Sequence, residues 1–150
     1  MFTRTFSQIY GLALFRVGYV LADPYLAEIL NRVRQPFNLN SYGLAAAGAA
    51  LSDDKFVEAS VKVNKGGMRQ LVSIAEKMGL SFIPSHGNFL TIQFEQTGAE
   101  IYTQLLQQGI IVRPLGGYGL PNHLRVSVGL EAENERFCLG LESIMRNIAT

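Results

Sequence analysis

Apolar and polar positions alternate at two periods along this chain. From Asp54 onward, Val57, Val61, Met68, Leu71, Ala75 and Met78 fall on one stripe at helical spacing, the longest such pattern in the sequence. Lys77 and Gly79 close that helix in the expected order, and Gly66-Gly67 inside it predicts a kink or a close helix contact within one long helix. Leu80 to Pro84 reads as a short strand, and Leu90, Ile92 and Phe94 alternate with Thr91 and Gln93 as in a half-buried strand. Thr97-Gly98-Ala99-Glu100 is a capping box for a helix with Ile101, Leu105 and Leu106 inward, ended by Gly109. Ile110 to Arg113 reads as the next strand, and Leu124, Val126 and Val128 alternate with Arg125 and Ser127 in the last. Phe137, Leu141, Ile144 and Ile148 then share the face of a terminal helix.

The first fifty residues read differently: strand, turn, short apolar element, then a strand over Arg16 to Leu21 that ends at Asp23-Pro24. Asp23 suits a helix N-cap and Pro24 the first helical position, with Leu26, Ile29, Leu30 and Val33 following until Arg34-Gln35-Pro36 stops the helix. After a loop over Pro36 to Asn40, Asn40 or Ser41 caps a second helix through Leu44, Ala47, Gly48 and Leu51, whose small residues predict close packing. The fold class is therefore α/β in two parts. Residues 1–51 look like strands and helices cut from a larger layer. Residues 52–150 read helix, strand, strand, helix, strand, strand, helix, which predicts an antiparallel or mixed sheet with helices packed on one side.

Composition narrows the function classes. With 150 residues the chain is large enough to bury roughly 68–70% of its unfolded surface. It is 48% hydrophobic and 17% charged with a net charge of +1, which gives no reason to expect nucleic acid or a membrane surface as partner. Cys138 is the single cysteine, so no internal disulfide is possible, and a buried inert thiol in a reducing cytoplasm is the expectation. No apolar run approaches the roughly 18 residues needed to span a bilayer, and no signal peptide is expected.

Three groups of residues carry candidate chemistry. Thr5, Ser7 and Arg16 combine hydroxyls, a turn and a guanidinium, which suits an anion cradle, although spacing alone favours a polar turn with a surface arginine. Arg125 alternates with apolar neighbours, so its guanidinium points away from their face and meets an anion, an internal carboxylate or water. Gly116-Gly117-Tyr118-Gly119 follows a strand but leads to Pro121, Asn122 and another strand, so no helix N-terminus is offered to a pyrophosphate. His86 and His123 have no cysteine or carboxylate partner at ligand spacing, and no metal site is expected.

Thr5-Phe6-Ser7-Gln8-Ile9-Tyr10-Gly11 and the later Arg16 resemble the lysine region of the fold-type I pyridoxal-phosphate aminotransferases, most closely the histidinol-phosphate aminotransferases, whose pattern is Thr-x-Ser-Lys-x-Tyr/Phe-Gly and then an arginine. Gln35-Pro36-Phe37-Asn38-Leu39-Asn40 resembles that family's Gln-Pro-Phe-Asn-Val-Asn loop, and Ser85-His86-Gly87-Asn88-Phe89-Leu90 its Ser-x-Gly/Ala-Asn-Phe-Leu segment. Arg113 after Ile110-Ile111-Val112 and Arg125 in His123 to Gly129 are similar to its Val-Ile-Val-Arg and Asn-x-Leu-Arg-Ile-Thr-Val-Gly strands. The resemblance implies the end of a large cofactor-binding domain followed by a small C-terminal domain. It implies cofactor-phosphate contacts at Thr5, Ser7 and Arg16, substrate-phosphate contacts at Arg113 and Arg125, and amino transfer between histidinol phosphate and 2-oxoglutarate. It also implies a defect: Gln8 occupies the position of the Schiff-base lysine, and a carboxamide nitrogen is neither basic nor nucleophilic. The family's stacking aromatic, pyridine-pairing aspartate and glycine-rich phosphate turn precede the lysine and have no counterpart here. The expectation is an inactive chain with weak or absent pyridoxal phosphate binding, no catalytic residue of its own, and a homodimer or self-association through exposed strand edges. The alternative is a non-catalytic module that binds an anionic metabolite or a partner chain.

Overall fold

Asp23 accepts the N–H of Tyr25 and Pro24 opens the helix α1, Pro24–Val33, as the cap and proline require. The computed structural model of the chain describes residues 1–148 and divides it into two compact units, Met1–Val61 and the remainder from Lys62. In the first unit, strands β1 (Phe2–Thr5) and β2 (Gly18–Leu21) form a two-stranded antiparallel ribbon. A single 3-10 turn at Ala13–Phe15 lies between them. α1 and then α2 (Ser41–Ala50) follow, and Asn40 is the residue that caps α2, accepting the N–H of Gly43 at 2.6 Å. Phe6, Val17 and Ala47 make a small buried core there, with Tyr10, Leu12 and Phe15 against it.

The long helix α3 (Asp54–Lys77) begins in the first unit and gives most of its length to the second. Asp53 caps its first turn by accepting the N–H of Phe56. The second unit then runs β3 (Phe82–Ile83), β4 (Phe89–Gln93), α4 (Gly98–Gln107), β5 (Arg113–Leu115), β6 (Leu120–Ser127) and α5 (Glu131–Ile148), in the order the sequence predicts. Its four strands form an antiparallel sheet in the order β3-β4-β6-β5. One sheet face, carrying Leu90, Ile92, Leu124 and Val126, is buried against Leu71 of α3, Ile101 and Leu105 of α4, and Phe137 and Leu141 of α5. The capping box of α4 is complete, with Thr97 accepting the N–H of Glu100 and Glu100 accepting that of Thr97.

α3 runs unbroken through Gly66-Gly67, and of the two expectations there the close contact is the one found: a Cβ on Gly67 would stand 2.4 Å from Val128 and 2.5 Å from Asn134 of α5. The structure corrects the sequence reading at three strand starts. The strand expected over Ile110 to Arg113 begins only at Arg113, because the N–H of Ile110 bonds back to Leu105 and, with Gly109 left-handed at φ 73°, completes the C-terminal cap of α4. Leu80 does the same for α3 through Ala75, behind Gly79 at φ 66°, which shortens β3 to Phe82–Ile83. Arg16 is left-handed rather than extended, so β2 starts at Gly18.

Candidate functional site

The segment joining β1 to β2 is pinned from within. The N–H of Phe6 bonds the carbonyl of Val17 at 3.0 Å and the N–H of Leu12 bonds that of Phe6 at 3.0 Å, while both Phe6 and Val17 are buried. Asn40 adds a bond from its side chain to the carbonyl of Phe15 at 3.2 Å. With Phe6 and Val17 inward, the segment turns Thr5, Ser7 and Arg16 toward one another. Thr5 Oγ1 accepts the N–H of Ser7 at 3.0 Å, and one Arg16 Nη donates to Ser7 Oγ at 3.4 Å and to the Ala13 carbonyl at 3.0 Å. Arg16 holds φ 55°, a conformation that costs a non-glycine residue about 1–3 kcal/mol and is kept where the surroundings demand it, often at ligand clamps. Two hydroxyls and a held guanidinium on one loop suit a phosphate-like anion. Gln8 stands beside them, exposed, in the turn where its carbonyl accepts the N–H of Gly11 at 2.9 Å.

In the second unit, Arg113 of β5 and Arg125 of β6 are register partners, and Arg125 is also the partner of Thr91 on β4. Directly opposed residues share a sheet face, so Thr91, Arg125 and Arg113 form one row on the face opposite the helices. Arg125 lies with its guanidinium carbon 5.2 Å from the centre of the Phe89 ring, and its buried Nε has no hydrogen-bond partner. A planar cation lying over an aromatic ring, with one buried donor unpaired, has the chemistry that suits an oxyanion. Gly116–Tyr118 forms a 3-10 turn and Gly119 takes φ 76°, which closes the β5–β6 hairpin and keeps the two arginines opposite. The sequence reading named both arginines and missed Phe89 and Thr91. Their signal was parity, since both alternate with the buried Leu90 and Ile92 of β4.

Other features hold less chemistry. Among the described residues no group of three or more histidine, cysteine or acidic side chains is placed to hold a metal. Phe37, in the Gln35 to Asn40 loop, is left-handed at φ 57° and wholly exposed beside a cleft of about 570 Å³ that Arg34 and Asn38 also line. Arg34 donates to Asn31 and Asn38, which fixes that loop internally. Cys138 is half-buried, and burial pushes its thiol pKa up, with the nearby Glu142 carboxylate adding to the effect.

The family model for aminotransferase class I and II matches residues 1–141. This chain belongs to that family. Among the relatives it is similar to, histidinol-phosphate aminotransferase 2 of Pseudomonas fluorescens is 52% identical over 143 residues, covering 95% of this chain and 39% of the relative. Histidinol-phosphate aminotransferase 1 of Nitrosococcus oceani is 53% identical over 145 residues, covering 97% and 39%. The chain therefore spans about two fifths of the length of these aminotransferases. The crystal structure of histidinol-phosphate aminotransferase from Sinorhizobium meliloti in complex with pyridoxal-5'-phosphate superimposes with a TM-score of 0.85 at 30% identity, over 97% of this chain and 41% of that one. The enzyme of the same name from Clostridium acetobutylicum, at 22% identity, shares the fold with a TM-score of 0.89 over 97% of this chain and 45% of its own. No helix among the described residues is long and apolar enough to cross a membrane.

Proposed function

We propose that this aminotransferase chain is the C-terminal portion of a histidinol-phosphate aminotransferase-like protein and supplies its substrate-phosphate clamp. The observation that carries the reading is the Arg113–Arg125 pair, opposed in register on β5 and β6, with Phe89 stacked under Arg125. Two guanidiniums on one sheet face suit one phosphate dianion, such as that of histidinol phosphate, with 2-oxoglutarate as amino acceptor in the full reaction. In this reading residues 1–51 end a large domain, residues 52–150 form the small one, and the protein works in the cytoplasm.

Pyridoxal phosphate meets the residues at one end only. Thr5, Ser7 and Arg16 offer its phosphate two hydroxyls and a cation, and the bonds among them are already in place. Its aldehyde needs a primary amine, and Gln8 has none. The residues therefore fit the phosphate and not the reactive carbon, and no amino-transfer step is assigned to this chain by itself. Titration with histidinol phosphate under thermal denaturation tests the clamp. Saturable stabilisation that disappears in both Arg113→Ala and Arg125→Ala is expected; a wild-type melting temperature unmoved by any phosphate monoester would sink it.

A second reading, a module that works by association, is favoured by the apolar surface of the first unit. Leu14, Phe37, Tyr25 and Tyr42 are each at least 74% exposed there, and no residue of β1 or β2 is buried. Sedimentation velocity over a hundredfold concentration range separates a homodimer from a monomer.

A further inference from the structure

We infer that the Thr5–Ser7–Arg16 cradle holds phosphate monoesters reversibly and is indifferent to whether a pyridine ligand carries an aldehyde or an alcohol at its reactive carbon. The inference rests on the cofactor-phosphate reading above and adds a specificity to it. A site selects an aldehyde when an amine nitrogen attacks its carbonyl carbon, water leaves, and a carbon–nitrogen double bond forms. That step requires a nitrogen lone pair, and the Gln8 nitrogen has given its own to the adjacent carbonyl. No lysine elsewhere on the segment replaces it. All four lysines of the chain, Lys55, Lys62, Lys65 and Lys77, lie on α3, and the residues from Met1 to Asp54 hold none. What remains at the cradle is anion chemistry. Arg16 is held by two bonds, to Ser7 and Ala13, and Ser7 is held by Thr5. None of these groups distinguishes –CHO from –CH₂OH several bonds away from the phosphate.

The test uses the whole chain and three probes, pyridoxal 5'-phosphate, pyridoxine 5'-phosphate and unphosphorylated pyridoxal, titrated by calorimetry. Each aldehyde mixture is then treated with borohydride and mapped by peptide mass spectrometry. Wild type should bind the two phosphate esters within about threefold of each other and pyridoxal at least about tenfold more weakly. Arg16→Gly, which tolerates the left-handed backbone, should abolish that preference for the esters. Gln8→Lys, at an exposed position, should restore selection of the aldehyde and give a reduced adduct at residue 8. Selection of pyridoxal 5'-phosphate by wild type, or a stoichiometric adduct at Lys55, would overturn the inference while leaving the cofactor reading in place. Binding of the esters by Gln8→Lys alone would overturn it as well, since the cradle would then not suffice. Failure of both esters to bind either protein would overturn the cofactor reading itself.

Discussion

Asn134 is the polar residue on which most of one corner depends. It is 3% exposed, accepts the N–H of Gly129 at 2.9 Å, and donates to the Gly129 carbonyl and to Gln70 at 3.1 and 3.0 Å. Removing it leaves a glycine's two backbone groups and an amide without partners, so Asn134→Ala is expected to cost about 1–3 kcal/mol in urea denaturation. A loss under a few tenths would show that water replaces the side chain freely. At this scale the sequence was most legible where one residue type does one job. Asp23, Thr97 and Glu100 sit in the caps their order announces. Asn134 was not legible, because nothing local distinguishes a buried asparagine that bridges Gln70 and Gly129 from a solvated one. Phe89 was missed for a related reason: its partner Arg125 lies 36 positions away and is met only across the sheet.

Between elements, the first residue of α4 shows how tightly helix and strand are joined. A Cβ on Gly98 would lie 2.6 Å from the carbonyl oxygen of His123, a backbone atom of β6 that cannot step aside. Gly98→Ala should therefore destabilise by about 1–3 kcal/mol, against the general gain in helix propensity that alanine brings. A variant more stable than wild type by thermal melting would mean that β6 yields. The order of elements from α3 to α5 was readable from period alone, yet two strand starts were misplaced for one physical cause. Leu80 and Ile110 are apolar and follow a glycine, so they look like first strand residues, while their N–H groups close the ends of α3 and α4. Hydrophobic pattern reports burial, and both a strand and a helix cap bury an apolar side chain at that point.

Across the whole molecule, charge is sparse enough that single pairs can be followed. Lys77 on α3 donates to Glu142 on α5 at 2.7 Å. That hydrogen bond, with the attraction of the same ammonium, holds the Glu142 carboxyl below its ordinary pKa. A lowered carboxylate stabilises the folded state above its unfolded value, and the contribution is lost as the pH falls through the folded one. The stability gap between wild type and Glu142→Gln should thus be larger at neutral pH than in acid, and smaller again in high salt. A gap independent of pH would assign the effect to packing. The chemistry of the candidate site was legible as residue types, since Thr5, Ser7, Arg16, Arg113 and Arg125 were each named from the chain. Their grouping within each unit came from the loop pinned by Phe6 and Val17 and from the register of β5 on β6. That register has an energetic side. β5 is a three-residue strand at the edge of its sheet, and it sets Arg113 against a like charge on its partner strand β6. Without a counterion the hairpin works against its own electrostatics, so its backbone amides should exchange with deuterium quickly. A bound dianion turns that repulsion into a bridge, and protection at Arg113 and Leu115 should then rise with ligand concentration, making the exchange rate of one short strand a direct gauge of occupancy.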